Sequence, residues 1–238
     1  RTLTTGTFVH SLVEPPGGAV RYEGRTGIEG VPGTAAPVHL TFLDAVGSKT
    51  GKLFPTGQAK DVIDGVPVTC IAMAMPMMVI EASELGITGS ETAAELDANA
   101  PLLKRLEALR LKAGKAMGLG DVSNMVIPKP VLVSKPRYDG TLQVRYFMPH
   151  NCHRALAITG AVGLATACVS PGSVIEDLLG KEALGLSEVR LEHPSGGIDV
   201  ALSRSGADGK TLQASVVRTA RRLFSGFVYA PTFRRLAG

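Results

Sequence analysis

Tryptophan is absent from this 238-residue chain, aromatic residues make up only 5% of it, and it has 3 cysteines. So few aromatics leave no stacking platforms. The 25 basic residues are scattered among 21 acidic ones, which encodes no groove for nucleic acid. The one dense basic cluster is Arg218, Arg221 and Arg222, with Arg234 and Arg235 beyond it. Cys70, Cys152 and Cys168 have no regular spacing and give no disulfide framework, which points to a reducing, cytoplasmic setting. The opening residues Arg1-Thr2-Leu3-Thr4-Thr5 lack the charged start and apolar run of a signal peptide. The longest uncharged apolar run, Ala155 to Ser170, is short for a bilayer and is interrupted by Thr159, Gly160, Gly163 and Thr166, so no membrane partner is expected.

What is present is a globular composition, 45% hydrophobic and 19% charged, with 28 glycines to serve tight turns between short strands. Thr7 to Val9 and Leu12-Val13, then Ala19 to Glu23, flank Pro15-Pro16-Gly17-Gly18 and suggest a hairpin. Gly27 to Pro37 reads as a boundary or crossover, and Val38 to Leu43 alternates as a strand. Further strands are expected at Val66 to Ile71, Met77 to Ile80, Val131 to Val133, Leu142 to Met148, Val189 to Glu192, Ile198 to Ser203 and Leu212 to Val217. Thr88 and Glu91 have the spacing of a capping box, predicting a helix from near Gly89 through Leu96. A second helix should start at Pro101, bury Leu102, Leu106, Leu109, Ala113 and Met117, and stop at Gly118 and Gly120. A short helix is expected near Val174 to Leu179. The run Ala155 to Val169 is helical in composition yet has no polar face. Such a helix must be buried all round, and with strands on both sides the expected package is an α+β fold, a curled, mostly antiparallel sheet wrapped round a central helix.

Chemistry could sit in three places. Pro149-His150-Asn151-Cys152-His153-Arg154 leads into Thr159-Gly160-Ala161 at the start of the buried helix. There the free N–H groups of a first turn and small residues would let a carboxylate approach the backbone. His150, Cys152 and His153 could suggest a metal, but no second Cys/His cluster completes a site, so no metal is expected. His193-Pro194-Ser195-Gly196-Gly197 is a tight polar turn whose amides could hold an anion or merely join two strands. Arg218 and Arg221 suit bidentate carboxylate binding, and a solvated or structural pair fits the spacing equally well.

Taken in order, Gly30-Val31-Pro32-Gly33-Thr34-Ala35-Ala36-Pro37, Leu53-Phe54-Pro55-Thr56-Gly57, Asp61-Val62-Ile63-Asp64-Gly65, Leu85 to Glu91, Pro149 to His153, Thr159-Gly160-Ala161, His193 to Gly196 and Arg218 to Arg221 resemble the 4-oxalomesaconate tautomerases and 2-methylaconitate cis-trans isomerases. The resemblance covers nearly the whole chain. It implies the diaminopimelate epimerase-like fold, with residues 1–37 a remnant of a first domain and crossover, and 38–238 the second domain with its C-terminal return strand. It implies a cofactor-independent isomerase that moves a proton along a small tricarboxylate through an enolate. The substrate-binding residues would be His150, Cys152, His153, Thr159, Gly160, Ala161, His193, Ser195, Gly196, Arg218 and Arg221. The family's acid/base lysine and cysteine match nothing here: not Lys49, Lys52, Lys60, Lys129 or Lys135, and not Cys152. They are expected in a segment before Arg1. Ala157 stands where epimerase relatives carry a second catalytic cysteine, which argues against an amino-acid epimerase. Ala72 stands where the family usually has Asp. A chain without most of its first domain should expose a sheet edge and aggregate or form a homodimer. A carboxylate-binding module without turnover is the alternative reading.

Overall fold

The computed structural model describes residues 8–13, 18–43, 45–47, 49–205 and 211–229. Twelve strands and four helices follow one another as β1 (Phe8–Val13), β2 (Thr26–Ile28), β3 (Val31–Ala35), β4 (Pro37–Leu43), β5 (Asp61–Ile63), β6 (Val66–Met73), β7 (Met75–Glu81), α1 (Ala93–Ala98), α2 (Ala100–Ala116), β8 (Lys129–Ser134), β9 (Leu142–Tyr146), α3 (Ile158–Cys168), α4 (Val174–Leu179), β10 (Glu188–His193), β11 (Gly196–Ser205) and β12 (Thr211–Thr219). Ten strands form one sheet in the order β1-β4-β12-β11-β10-β9-β8-β7-β6-β5, and β2 and β3 form a separate hairpin. Neighbours run antiparallel except β7 with β8 and β9 with β10.

Parallel neighbours cannot be joined by a hairpin and need a long crossover. Each of the two crossovers here carries helices, α1 and α2 between β7 and β8, and α3 and α4 between β9 and β10. The helices bury the two faces of the sheet. On one face, Leu102, Leu106, Leu109 and Ala113 of α2 pack over Val66, Val68, Cys70, Met78, Ile80 and Leu132. On the other, Val162, Leu164, Ala165 and Cys168 of α3 meet Ile71, Met73, Met77, Val79, Val131 and Val133. Alternate residues of β6, β7 and β8 therefore serve opposite cores, which is why these strands read as unbroken apolar runs.

The sheet curls round α3, which packs against β6, β7, β10, β11 and β12, strands from both halves of the sheet order. Nine consecutive residues of this helix, Gly160 to Cys168, are buried. A helix with no polar face has become a central helix, as its composition required. Gly163 allows the closest approach: a Cβ there would lie 2.3 Å from Met77 Cε and 3.1 Å from the Met73 carbonyl oxygen.

Two local expectations change. Ala19 to Glu23 forms no strand, and the proposed turn residues Pro15, Pro16 and Gly17 lie outside the described residues, as do Arg234 and Arg235. β1 pairs instead with β4, Val9 opposite Phe42, because Val9 gains a place against the α3 core that a local hairpin would not give it. The Tyr22 carbonyl accepts from Ala36 N–H at 3.0 Å, tying the segment to the β3–β4 junction. The helix-starting box also lies one turn later than expected. Thr92 and Glu95 cap α1 reciprocally, whereas Glu91 turns back onto the Thr88 N–H (2.8 Å) and hydroxyl (2.9 Å) and closes a turn ahead of it. Two S/T-x-x-E pairs stand in tandem, and spacing alone does not choose between them. β9 ends at Tyr146 rather than at Met148. Among the described residues no helix is long and apolar enough to cross a membrane.

Candidate functional site

α3 begins without a side-chain cap. Its N-cap is Ala157, which has no side-chain oxygen, whereas Thr92, Asn99 and Ser173 cap the other three helices. The Ala161 N–H is the first to be used inside the helix, donating to the Ala157 carbonyl at 2.9 Å. The amides of Ile158, Thr159 and Gly160 precede it at the positive end of the helix dipole. Ala157 and Thr159 line a cleft of about 530 Å³. Its walls are mostly apolar, formed by Met75, Met148, the Tyr146 ring and the loop Met125 to Ile127, and Lys49 and Lys129 are its two cations. Among the described residues no Asp or Glu lines it. Burial pushes the Tyr146 phenol well above its usual range, so it lines the cleft as a neutral group.

The loop in this wall is held by α2. Arg110, fully buried, donates to Glu107 at 2.6 and 2.8 Å and to the carbonyls of Val122 (3.0 Å), Met125 (3.1 Å) and Ile127 (2.9 Å). The β6–β7 turn, which brings Met75 to the same cleft, relies on backbone bonds. Ala72 donates to the Leu53 carbonyl at 2.8 Å and accepts from Gly47 N–H at 2.7 Å, and Ala74 adopts φ 60°.

A second, polar cleft of about 690 Å³ lies at the β10–β11 turn. His193 and Gly196 of that turn line it together with Glu29, Arg145, Arg190 and Glu192. Glu192 accepts from the backbone N–H groups of Arg137 (2.7 Å), Tyr138 (2.9 Å) and Gly140 (2.8 Å), so the loop on the far wall folds around one carboxylate. Arg190 pairs with Asp199 at 3.0 Å, with Glu29, and with Asp139 at 3.5 Å. Those hydrogen bonds hold its guanidinium firmly charged. Arg145 donates from Nε to the Glu91 carbonyl at 2.7 Å, and burial lowers its pKa.

The structure joins some of the sequence-selected residues and separates others. Ser195 Oγ donates to the Arg154 carbonyl, so the 149–154 loop and the 193–197 turn meet. His153 stands edge-on to Tyr146 at 6.4 Å between ring centres, next to the α3 cleft wall. Its Nδ1 accepts from Ala155 N–H at 2.9 Å. Cys152 faces the α2 core instead: its N–H donates to Asp97 at 2.6 Å, and burial raises its thiol to about 11. His150 is exposed, 3.9 Å from Glu107. Gly160 and Ala161 are buried in α3. Arg218 donates to the Val217 carbonyl at 2.9 Å and borders a smaller cleft with Glu29 and His39, and Arg221 lies against Gly33 of β3. Neither arginine lines the two larger clefts. Among the described residues no three His, Cys, Asp or Glu side chains are grouped as a metal would need. Lys129, Tyr146, Arg145 and Glu29 were not selected from sequence. A lysine at the head of the apolar run Pro130 to Val133 was the signal available for the first of them.

His193 gives this region a pH response. Burial, reinforced by Arg218, His153 and Arg145 against the opposing pull of Glu29, lowers its imidazole from 6.5 to about 4. Its Nδ1 accepts from Ser195 N–H at 3.2 Å. The unfolded chain takes up this proton below pH 6.5 and the folded chain does not until about pH 4, so stability is full above 6.5 and falls as the pH drops. The expected loss from this group by pH 5 is about 2 kcal/mol. Urea midpoints at pH 7 and pH 5 should show it in the wild type and not in His193→Gln. An identical pH dependence in the two would refute the assignment.

A mostly antiparallel sheet curled round a central helix that has no side-chain cap, with a mostly apolar cleft at that helix's start, defines an α+β protein. The profile of the family described as PrpF protein matches residues 1–231, and the chain belongs to that family. It is 58% identical over 231 residues to "Putative isomerase YbhH" of Escherichia coli (strain K12), covering 97% of this chain and 65% of that protein. It is 43% identical over 225 residues to "(4E)-oxalomesaconate Delta-isomerase" of Novosphingobium sp. (strain KA1), covering 94% of this chain and 63% of that protein. Among solved structures, a methylitaconate-delta-isomerase superposes with a TM-score of 0.82 at 28% identity, over 98% of this chain and 67% of that one. The chain thus spans about 65% of the length of the YbhH relative.

Proposed function

We propose that the protein belongs to an isomerase that moves a proton along a small unsaturated polycarboxylate, and that this chain supplies the surface that holds the substrate. The single observation that carries this reading is the uncapped start of α3 opening into a cleft that, among the described residues, has two lysines and no acid. A carboxylate docked on the free amides would be stabilised by both hydrogen bonds and the helix dipole. Once a proton leaves the carbon next to the conjugated system, charge spreads into an enolate, and fixed N–H donors lower that barrier most when they already point at the developing charge. The mostly apolar walls exclude water from the carbon skeleton. 4-Oxalomesaconate is the preferred substrate, supported by the name of the relative at 43% identity, and 2-methylaconitate is the second. In the same reading, the sheet round α3 is the second domain of a diaminopimelate epimerase-like pair, taking 38–238 together with β1, which pairs with β4, and the acid/base pair lies in the first domain. The setting is cytoplasmic, and a homodimer would form through edge strands β1 and β5.

The test is proton exchange. The chain, alone and joined to the remaining length that its relatives carry, is incubated with 4-oxalomesaconate in deuterated water. Deuterium incorporation and the absorbance of the conjugated system are followed. Exchange by the longer form is expected. Failure of both forms with 4-oxalomesaconate and with 2-methylaconitate would leave a carboxylate-binding module without turnover.

A further inference from the structure

Among the described residues, one buried charged group in the α3 cleft has no counter-charge. Lys129, the first residue of β8, is 4% exposed. The polar contact described for its ammonium is Met148 Sδ at 3.7 Å, a weak acceptor. No ion pair among the described residues includes it. Burial lowers its pKa, and the positive charge of Arg110 adds to the effect. Keeping an ammonium out of water without a partner is costly, so the fold tolerates a group whose natural complement is an anion brought from outside. The same cleft contains the first turn of α3 through Ala157 and Thr159.

We propose that Lys129 binds one carboxylate of the substrate while the free amides of the α3 first turn bind another. The proposal rests on the isomerase reading and extends it by naming a residue that selects for polycarboxylates. A ligand with a single carboxylate can satisfy either the amides or the ammonium. A di- or tricarboxylate satisfies both and lays its carbon chain along the wall of Met75, Val126 and Tyr146.

Calorimetry with tricarballylate, a saturated tricarboxylate that cannot isomerise, tests this directly. Wild type, Lys129→Met, Lys129→Arg and the surface control Lys60→Met are titrated at pH 7, with butyrate as the single-carboxylate probe. Losing a charge-assisted hydrogen bond should weaken tricarballylate binding to Lys129→Met roughly ten- to a hundred-fold. Lys129→Arg should recover most of it, and Lys60→Met should bind as wild type. Butyrate should bind far more weakly than tricarballylate to the wild type. The urea midpoint of Lys129→Met should not fall, because an apolar chain of similar length replaces an unpaired buried charge. Unchanged tricarballylate affinity in Lys129→Met, or no binding to the wild type, overturns the proposal. The proton-exchange assay separates the two claims. Exchange in the wild type with an unaltered KM in Lys129→Met removes Lys129 and keeps the isomerase. No exchange, with binding still dependent on Lys129, removes the isomerase and keeps the carboxylate site.

Discussion

Replacing Arg110 with methionine is expected to destabilise the fold by about 3–5 kcal/mol, the range found when one partner of a buried ion pair is removed. Every nitrogen of this guanidinium is used: Nε and one terminal nitrogen grip Glu107, and the terminal nitrogens also reach the carbonyls of Val122, Met125 and Ile127. Methionine fills similar space but leaves three carbonyls and a carboxylate without donors. Glu107, 26% exposed, can recover some hydration, so the effect should come mainly from the carbonyls. Arg110→Lys should lie between, because one ammonium cannot serve points spread over the whole loop. Because that loop forms a wall of the α3 cleft, tricarballylate affinity should fall with stability in both variants. Urea denaturation measures the first effect and calorimetry the second. A loss below 1 kcal/mol for Arg110→Met would mean that the loop carbonyls reach water without their arginine.

Arg110 also shows where the sequence stops being legible. The spacing of Leu102, Leu106, Leu109 and Ala113 places α2 and its buried face, and the structure agrees. Arg110 carries a charge into that face, four residues after Leu106, and it is fully buried. Its partners lie 12 to 17 residues downstream in a loop without periodicity, so no local pattern announces them. The central helix was legible for the opposite reason: a run without a polar face allows only one environment. The candidate site divides along the same line. Thr159-Gly160-Ala161 is readable in sequence as a helix start, whereas Lys129 meets Ala157 and Thr159 only because β8 brings it to the same cleft. Cys152 and His150 were drawn in by being close in sequence to His153. Strand and loop geometry turns the three apart, Cys152 into the α2 core and His150 into solvent.

Gly160 invites a different explanation in three dimensions from the one its neighbours suggest. In sequence it reads as a small residue that lets an anion reach the backbone. In the structure a Cβ at this position would lie 2.5, 3.1 and 3.1 Å from atoms of the Tyr146 ring. Tyr146 is 1% exposed and sits in the middle of the sheet, so its ring can shift only by giving up its packing. The glycine is therefore needed for packing α3 against Tyr146 of β9. Gly160→Val is expected to cost about 3 kcal/mol through overpacking, well beyond the few tenths that replacing a first-turn glycine with valine would otherwise return, roughly 0.4 kcal/mol at most. The displaced ring also walls the α3 cleft, so tricarballylate binding should be lost in the same variant. The decisive comparison is a double-mutant cycle with Tyr146→Leu, measured by urea denaturation. If the ring is what the valine strikes, Gly160→Val should cost markedly less in the Tyr146→Leu background, with a coupling of about 1–3 kcal/mol. Additive costs would mean that the valine disturbs the helix itself, and the glycine would then owe its place to the backbone rather than to the tyrosine.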